Sequence, residues 1–418
     1  MYKLRPYQEN AVNAAMKAFH DKENGGIIII PTGGGKSWVI AEIARRLNAP
    51  VLILCPSLEI LNQNYDKFCL VGSEITAGKY SASAGARDIC KVTFATIGSI
   101  YKKPEDFKDV KFIISDECHL NDAIEGMYHQ LFEALGAIVI GLTATPYRLY
   151  SQLYILNKET GKKRKNFMKV DREKLKEGET YLGESQLKFL TNIKGGNFKK
   201  VIYCIQTKEL MAQGFLAKTC YYELIPEKMR TMKMYKNSSG SDFSDSSMKF
   251  VYDACDMHRW TINVVTRLLS PLNRVPRKGI IVFNKFVQES MDLAKHFGDI
   301  AGVVHGKMNK KEREQILEDF RTGKKKIIFN ANCLVVGFDY PELDTIVLAR
   351  PTLSLSVYYQ AVGRVLRPHP SKSESWVIDL CGNFKRFGRV ENLEVVKDKK
   401  DFWSVRSFGK QLTDVIIN

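Results

Sequence analysis

Residues 25–37 read GGIIIIPTGGGKS, and this stretch limits the possible fold more than any other part of the chain. Four consecutive isoleucines are typical of a strand that is buried on both faces. Three glycines follow after a Pro-Thr turn, and glycine is the residue whose ordering costs the most chain entropy, so the bare backbone is required there. A strand, a glycine loop and a Lys-Ser pair that opens a helix predict a cradle for phosphate groups.

The predicted cradle assigns a role to each of its residues. In such a loop the backbone N–H groups point at phosphate oxygens, Lys36 reaches the β- and γ-phosphates, and Ser37 ligates Mg²⁺. The strict pattern has a glycine at the position of Ile30, and a glycine-rich turn after a strand also has purely structural uses. The residues assigned to the loop are Thr32, Gly33, Gly34, Gly35, Lys36 and Ser37.

Short continuous apolar runs recur along the chain, and helical spacers separate several of them. They lie at 27–30, 51–55, 92–96, 112–115, 138–145, 278–283, 325–331, 344–350 and 376–380. Runs of this kind predict parallel strands with both faces covered, which is the α/β class. We therefore expect two doubly wound parallel-sheet domains, at 1–148 and 277–418, with an insert and connector at 149–276.

The segment between the two predicted domains has a different composition. Residues 149–200 predict a β-hairpin with its turn at ETGK and a basic second strand, which is either a nucleic-acid contact, such as a strand-separating wedge, or a solvated insert. The serine-rich stretch 238–247 predicts a loop within a connector. Asn284 is predicted to cap the helix that follows the strand at 278–283.

The charge and cysteine content indicate partners and compartment. The 418 residues carry 63 lysines and arginines against 46 carboxylates, a net charge of +17, which favours a nucleic-acid partner over a merely basic surface. Nine cysteines form no CxxC pair, and most lie in apolar runs, as expected of reduced core residues. With no long apolar run and no signal-peptide pattern at the N-terminus, we expect a cytoplasmic protein.

Two further motifs complete a reaction site. FIISDECHL at 112–120 ends an apolar strand in two carboxylates; Asp116 is suited to hold Mg²⁺ and Glu117 to orient and deprotonate a water. Such a pair alone is also typical of a solvated strand end, but with the loop at 31–37 it predicts a nucleoside triphosphate hydrolysis site. Arg364 and Arg367, three apart on a predicted helix, would stabilise phosphoryl charge; the alternative is a pair of surface arginines.

The order of these motifs resembles that of superfamily 2 helicases of the DEAD/DEAH-like type, here with a DECH box. Within the superfamily the chain is most similar to RadD-type repair helicases and related phage-encoded helicases, on the phrases LRPYQ, DECH, LTATPYRL, GFD-P and Y-Q-VGR-LR. The matching segments are LRPYQ (4–8), PTGGGKS (31–37), CPSLEIL (55–61), FATIGS (94–99), DECH (116–119), TAT (143–145), HGKMNKKERE (305–314), NANCLVVGFDYPELD (330–344) and QAVGRVLR (360–367).

The resemblance implies two RecA-like domains with ATP between them. It assigns further nucleotide contacts to Arg5, Gln8, Gly337 and Asp339, coupling of hydrolysis to movement to His119, Thr143, Thr145 and Gln360, and nucleic-acid contacts to Ser57, Thr96, His305 and Asn332.

Several of these residues have an equally ordinary structural interpretation. Ser57 and Thr96 are also typical of a helix cap or a strand end, and His119 of a hydrogen-bonded strand-end histidine. Motif V often has a threonine before GFD that touches the strand backbone, whereas this chain has Val335 and Val336.

The expected activity is that of an ATP-dependent helicase or translocase that unwinds or remodels DNA in repair, recombination or replication. Its expected cofactors are ATP and Mg²⁺. The expected partner is single-stranded, forked or branched DNA, with separate repair or nuclease proteins. The alternatives are an RNA-remodelling helicase and a nucleic-acid-binding scaffold with weak ATPase activity.

Overall fold

The structure, a computed structural model, describes residues 3–71, 74–121, 125–166, 175–270, 277, 279–331 and 340–416. The helices of these residues are α1 Pro6–His20, α2 Lys36–Leu47, α3 Leu58–Leu70, α4 Ile97–Ile100, α5 Met127–Leu135, α6 Thr207–Ala212, α7 Glu227–Thr231, α8 Asp245–Cys255, α9 Met257–Leu269, α10 Val287–Phe297, α11 Lys310–Arg321, α12 Leu355–Gly363 and α13 Asn383–Phe387. None of the helices in these ranges is long and apolar enough to cross a lipid bilayer.

The strands follow the apolar runs of the sequence and add several shorter ones. They are β1 Gly26–Ile29, β2 Val51–Cys55, β3 Ala77–Ser81, β4 Ala86–Arg87, β5 Val92–Thr96, β6 Phe112–Asp116, β7 Ile138–Thr143, β8 Tyr147–Asn157, β9 Lys163–Asn166, β10 Glu179–Phe189, β11 Lys200–Cys204, β12 Thr219–Glu223, β13 Ile280–Asn284, β14 Ala301–His305, β15 Ile327–Ala331, β16 Thr345–Leu348, β17 Ser375–Asp379, β18 Leu393–Lys397, β19 Trp403–Ser407 and β20 Lys410–Gln411.

The chain divides into two compact units. Residues 1–148, 188–213 and 394–405 form the first, and residues 149–187, 214–393 and 406–418 form the second. The first unit therefore recruits two later segments, one of which supplies strand β11. The domain limits expected from the sequence stay a prediction.

The first unit is built on an eight-stranded sheet in the order β11-β1-β7-β6-β2-β5-β3-β4. The described strands of this sheet pair in parallel, except β3 with β4, which pair antiparallel. Every residue of β1 and β2 is buried, because helices cover the sheet on both faces. Helix α1 buries Val12, Ala15 and Phe19 at helical spacing.

The second unit is built on a six-stranded parallel sheet in the order β12-β17-β16-β13-β15-β14. Helices α8, α9 and α10 contribute Met248, Val265 and Leu293 to its core, where these side chains meet Val282 and Val347 of the sheet. The predicted α/β class with parallel sheets is confirmed by both units.

The insert forms a separate three-stranded sheet in the order β10-β8-β9. Strands β8 and β9 make the predicted antiparallel hairpin with a basic second strand. Two of its cations lie beside carboxylates of β10, since Lys163 pairs with Glu184 and Arg164 with Glu179. These pairs lower the net charge that the hairpin offers to a polyanion.

Two local expectations are wrong. Asn284 is the last residue of β13 rather than a cap, because the N-cap of α10 is Phe286; the Asn284 amide donates to Ser290 Oγ at 3.0 Å instead. The stretch 238–247 is not entirely a loop. Helix α8 begins at Asp245, and the Ser244 side chain caps it by accepting from the Ser247 N–H.

An ion-pair network joins α1 to α2. The Arg46 guanidinium donates to both Glu9 carboxylate oxygens at 2.8 and 2.7 Å and to Glu42 Oε1 at 2.6 Å. Its hydrogen bonds lower the pKa of Glu9. Burial acts to raise the pKa of Glu42, but Arg45 and Arg46 outweigh it and leave that pKa lowered.

Replacing Arg46 with methionine should lower the free energy of unfolding by about 1–2 kcal/mol at neutral pH, because Glu9 loses its partner and Glu42 keeps only Arg45. Since both carboxylates have lowered pKa values, their contribution is present above the unfolded value of 4.5 and is lost as the pH falls through the folded values. Urea unfolding of the native chain and the Arg46→Met variant at pH 7 and pH 3 measures this contribution. A stability difference between the two proteins that is the same at both pH values would contradict the network's role.

Candidate active site

The glycine loop after β1 depends on its lack of side chains. Gly33 and Gly35 have φ values of 86° and 77°, in the left-handed region that favours glycine. A Cβ atom at Gly34 would lie 2.6 Å from Ile30 Cγ2. Ile30, which replaces the usual glycine of the motif, is therefore accommodated because residue 34 has no side chain.

The start of α1 packs onto this loop. The Tyr7 hydroxyl donates to the Gly34 carbonyl at 2.8 Å, and the Gln8 amide donates to the same oxygen at 3.2 Å. Gln8 Oε1 in turn accepts from the Arg5 N–H at 2.9 Å, and Arg5 Nη1 donates to the Tyr7 hydroxyl at 3.2 Å. The nucleotide contact that the motif resemblance assigns to Gln8 stays a prediction. The structure shows that Gln8 holds the loop together with Tyr7, to which the sequence analysis assigned no role.

The DECH segment brings the predicted catalytic acids to the end of β6. Glu117 has a φ of 47°, so the chain turns sharply after the strand. Lys36 Nζ lies 3.0 Å from Glu117 Oε1, which joins the glycine loop to this turn. Asp116 Oδ1 accepts from the Glu117 N–H at 2.9 Å. Lys36, Asp116 and Glu117 therefore form one cluster.

The surroundings of the cluster shift the pKa values of the Asp116 and Glu117 carboxyl groups in opposite directions. Burial, together with the neighbouring charge of Glu117, raises the pKa of Asp116 to about 6. Burial also acts to raise the pKa of Glu117, but the charge of Lys36 and the hydrogen bond from His119 outweigh it and hold that pKa well below its usual range. Glu117 is therefore ionised at neutral pH, as a general base must be.

The donors around the cluster fit a metal-bound triphosphate. Glu117 Oε2 is buried, and in the described ranges its neighbour is His119 Nδ1 at 3.4 Å, a long contact that leaves it poorly satisfied. Ser37 lies in the first turn of α2 and Asp116 ends β6, and both carry the oxygen ligands that Mg²⁺ prefers. Within the same ranges no group of three His, Cys, Asp or Glu side chains could hold a metal ion.

His119 links the DECH segment to the TAT segment inside the first unit. Its Nδ1 lies 2.9 Å from Thr143 Oγ1, and the Thr145 N–H donates to that oxygen at 3.0 Å. All three side chains are buried. A shift of the carboxylate turn would therefore move β7 and the segment that follows it.

Asn64 contacts the site, and the sequence analysis missed it. Its amide donates to Asp116 Oδ2 at 2.8 Å from the buried face of α3. The available signal was a polar residue in the buried stripe that Ile60 and Phe68 otherwise define. Asn64 therefore fixes the position of the Asp116 carboxylate, the predicted metal ligand.

A close backbone approach at β7 was also missed. A Cβ atom at Gly141 would lie 2.6 Å from both Cys118 Sγ and Phe198 Cε1. Cys118 belongs to the DECH segment, so the missing side chain of Gly141 sets how closely that segment can approach the sheet.

The predicted nucleic-acid residues of the first unit have observed structural roles. Ser57 Oγ caps α3 by accepting from the Ile60 N–H at 3.3 Å. Thr96 Oγ1 lies 3.0 Å from both Ser81 Oγ and Ser99 Oγ. Neither observation tests a contact with nucleic acid, which stays a prediction for both residues.

In the second unit the predicted arginines do not share a helix. Helix α12 buries Gln360 and ends at Gly363; Arg364 is its C-cap, and Arg367 lies beyond it in a bend. Successive turn bonds tighten the chain here, and Pro368 disfavours helical backbone at Arg367. The expectation of one helical face is therefore wrong.

The turn that carries these arginines is fixed from below. The Val365 carbonyl accepts from Ser375 Oγ at 2.6 Å and from Lys372 Nζ at 3.0 Å. Burial lowers the pKa of Lys372 to about 8.

Of the remaining predicted residues of the second unit, His305 is the last residue of β14. Asn332, Gly337 and Asp339, with Val335 and Val336, lie outside the described residues.

Comparison with known proteins agrees with this geometry. The family described as "Type III restriction enzyme, res subunit" matches residues 1–148, and "Helicase conserved C-terminal domain" matches residues 260–369. The chain is 24% identical over 87% of its length to "DNA 3'-5' translocase XPB2" of Sulfurisphaera tokodaii, covering 78% of that protein. It is 23% identical over 87% of its length to "DNA 3'-5' helicase XPB" of Kineococcus radiotolerans, covering 57% of it.

A solved structure shares the fold. It is titled "ATP-dependent Type ISP restriction-modification enzyme LlaBIII bound to DNA" and superimposes with a TM-score of 0.60 at 18% identity. The match covers 90% of this chain and 27% of that enzyme, so the likeness concerns only one part of a much larger protein.

Replacing Asn64 with alanine should lower kcat for ATP hydrolysis about tenfold and raise the Mg²⁺ concentration needed for half-maximal activity, because Asp116 loses a fixing hydrogen bond. The matched control is Asn62→Ala on the same helix, whose side chain contacts Lys79 instead. An unchanged Mg²⁺ requirement in a folded Asn64→Ala protein would refute the positioning role.

Replacing Gly141 with alanine should cost about 1–3 kcal/mol of stability and lower ATP hydrolysis, because the added methyl group would displace Cys118 or Phe198. Gly98→Ala is the control, since a Cβ atom there meets nothing within 4 Å. Thermal unfolding and steady-state rates measure both effects, and equal behaviour of the two variants would contradict the close approach.

Proposed function

Because the chain belongs to superfamily 2 of the helicases and hydrolyses ATP as they do, we propose that it is a motor that moves along DNA and unwinds or remodels it. The observation that carries the proposal is the cluster of Lys36, Asp116 and Glu117 at the carboxyl edge of the first sheet. A scaffold without catalysis would need neither a buried ionised glutamate nor a lysine aimed at it.

The proposed hydrolysis uses the groups of this cluster in sequence. Incoming phosphates attract Lys36 away from Glu117, which leaves the carboxylate available to orient and deprotonate the attacking water. Ser37 and Asp116 would hold Mg²⁺, which supplies charge neutralisation when bound. The N–H groups of the glycine loop, with the N-terminus of α2, bind phosphate oxygens.

The proposal extends to residues whose roles rest on the motif resemblance. Arg5 and Gln8 would contact the nucleotide base, and Gly337 and Asp339 the nucleotide. Arg364 and Arg367 would stabilise charge on the transferring phosphoryl group. Ser57, Thr96, His305 and Asn332 would contact the strand, and Gln360 would take part in coupling.

Movement is proposed to begin at the hydrogen-bonded chain of His119, Thr143 and Thr145. Glu117 lies two residues from His119, whose Nδ1 is 3.4 Å from Glu117 Oε2. A change of charge at the phosphates thus reaches β7 through direct contacts. Movement along nucleic acid also requires binding that does not depend on base sequence. Contacts to the phosphate backbone of the nucleic acid provide such binding.

DNA is the proposed partner, because the relatives named above are a DNA translocase and a DNA helicase and the restriction enzyme of similar fold is bound to DNA. The net charge of +17 supports a polyanionic partner. We propose further that the DNA is single-stranded, forked or branched, and that the protein acts in repair, recombination or replication. The proposal also includes separate repair or nuclease proteins as partners and a cytoplasmic location.

The test is steady-state ATP hydrolysis with and without forked DNA, for the native chain and for Glu117→Gln. We expect stimulation by DNA and a loss of at least about 100-fold in the variant, because the base is removed while the shape is kept. The control is Glu105→Gln, an exposed carboxylate of the same unit, which should behave as the native chain.

Matched RNA substrates distinguish the partner. Stimulation by RNA but not by DNA would replace the proposal with RNA remodelling. Absence of hydrolysis with either substrate would overturn the motor, and activity retained in Glu117→Gln would overturn the assignment of the base.

A further inference from the structure

An open groove lies in the second unit, and its lining residues are outside the motif segments discussed above. It has a volume of about 540 Å³, and two aromatic rings line it, Tyr235 before α8 and Phe250 on α8. Their exposed fractions are 63% and 68%, high for large apolar side chains. Met232, Lys233 and the serines 244, 246 and 247 complete the lining. The groove thus combines flat apolar faces with hydrogen-bonding and cationic groups.

The backbone that carries Tyr235 is held in place. Its N–H donates to Ser247 Oγ at 2.9 Å, and its carbonyl accepts from the Ser244 N–H at 2.9 Å. Phe250 is outward-facing because Met248 and Val251 anchor the opposite face of α8 in the core. Both rings are therefore presented to solvent from fixed backbone, which is the arrangement of a preorganised binding surface.

The charges around the groove favour an anion. Residues 226–250 contain five lysines and arginines against three carboxylates. Two of those carboxylates are already in ion pairs, Asp242 with Arg350 and Asp245 with Lys285, both at 3.1 Å. Lys233 lies over the Tyr235 ring at 5.4 Å.

The groove adjoins the edge of the six-stranded sheet that carries His305, a residue predicted to contact nucleic acid. The Asp245–Lys285 pair and the contact of Lys249 with the Phe286 ring place α8 beside the carboxyl end of β13. In the sheet, Asn284 and His305 both pair with Ala331, so they lie level with each other. Two strand spacings, about 10 Å, separate β13 from the predicted nucleic-acid residue His305.

We propose that this groove binds single-stranded nucleic acid, with bases stacked on Tyr235 and Phe250 and phosphates beside two lysines: Lys233, which lines the groove, and Lys249, which precedes Phe250 on α8 outside the lining. The inference rests on the proposed function and adds to it a contact surface outside the helicase motifs. Aromatic rings combined with a cationic lining are the features by which proteins hold unpaired strands without reading their sequence. A duplex would keep its bases stacked on one another, so the rings select an unpaired strand.

The test compares binding of a labelled oligothymidylate, followed by fluorescence anisotropy, to the native chain and to the double variant Tyr235→Ala/Phe250→Ala. We expect the double variant to bind at least about tenfold more weakly, since stacking contributes on the order of 1–3 kcal/mol per base. The matched control is Phe408→Ala, which removes a ring of the same unit that is 81% exposed and lies outside the groove. Its affinity should be unchanged.

A second variant tests the cationic part independently of the rings. Lys233→Gln/Lys249→Gln should reduce the slope of log affinity against log salt by about 1.4, because each phosphate contact on a single strand contributes about 0.7. All substituted side chains are exposed, so thermal unfolding should match that of the native chain.

The outcomes separate the groove from the motor. Equal affinity of the native chain and the ring variant, or an unchanged salt slope in the lysine variant, would overturn the groove while DNA-stimulated hydrolysis leaves the motor intact. Failure of the native chain to bind the oligonucleotide would overturn the groove as well, and the loss of DNA-stimulated hydrolysis alongside it would overturn the proposed function.

Discussion

Lys36 and Glu117 can pair because the parallel strands of the sheet are buried on both faces. The same burial of strands shapes both units. Strands such as β1 and β2 have no polar surface to offer, so charged side chains are confined to the points where strands end. Because the strands run parallel, those ends meet at one edge. The glycine loop after β1 and the carboxylates after β6 are therefore neighbours, separated in the sheet only by β7.

At that edge, the packing of the site depends on three glycines, because their lack of a side chain lets neighbouring residues approach closely. Gly34 leaves room for Ile30, Gly35 for Gln8, and Gly141 for Cys118. Each pair joins a residue of the nucleotide site to a neighbouring element, so the bare backbone sets how closely α1, the loop and the DECH turn can approach one another. The carboxyl groups then differ in pKa because Glu117 faces Lys36 and His119, while Asp116 is buried beside another carboxylate.

In the second unit, the segment expected to be a connector is an ordered part of the domain. Helices α8 and α9 fill the core of the six-stranded sheet. The turn before α8 is tied to the insert, since Ser185 Oγ donates to the Ser239 carbonyl at 2.9 Å and Gly183 approaches the same turn closely. The insert is thus packed against the segment that presents the two exposed rings, rather than projecting as an independent arm.

The sequence by itself determined the fold class, and it predicted the three residues that the structure brings together at the core of the candidate active site. Continuous apolar runs and a glycine loop permit few alternatives, so the strands, Lys36, Asp116 and Glu117 follow from local chemistry. Contacts between residues far apart in the chain were decided only by the tertiary structure. Asn64 reaches Asp116, and β11 joins the first sheet, because packing brings distant segments together and no local pattern records which ones. The place where α12 ends was also decided there, by turn bonds and Pro368 rather than by helical periodicity.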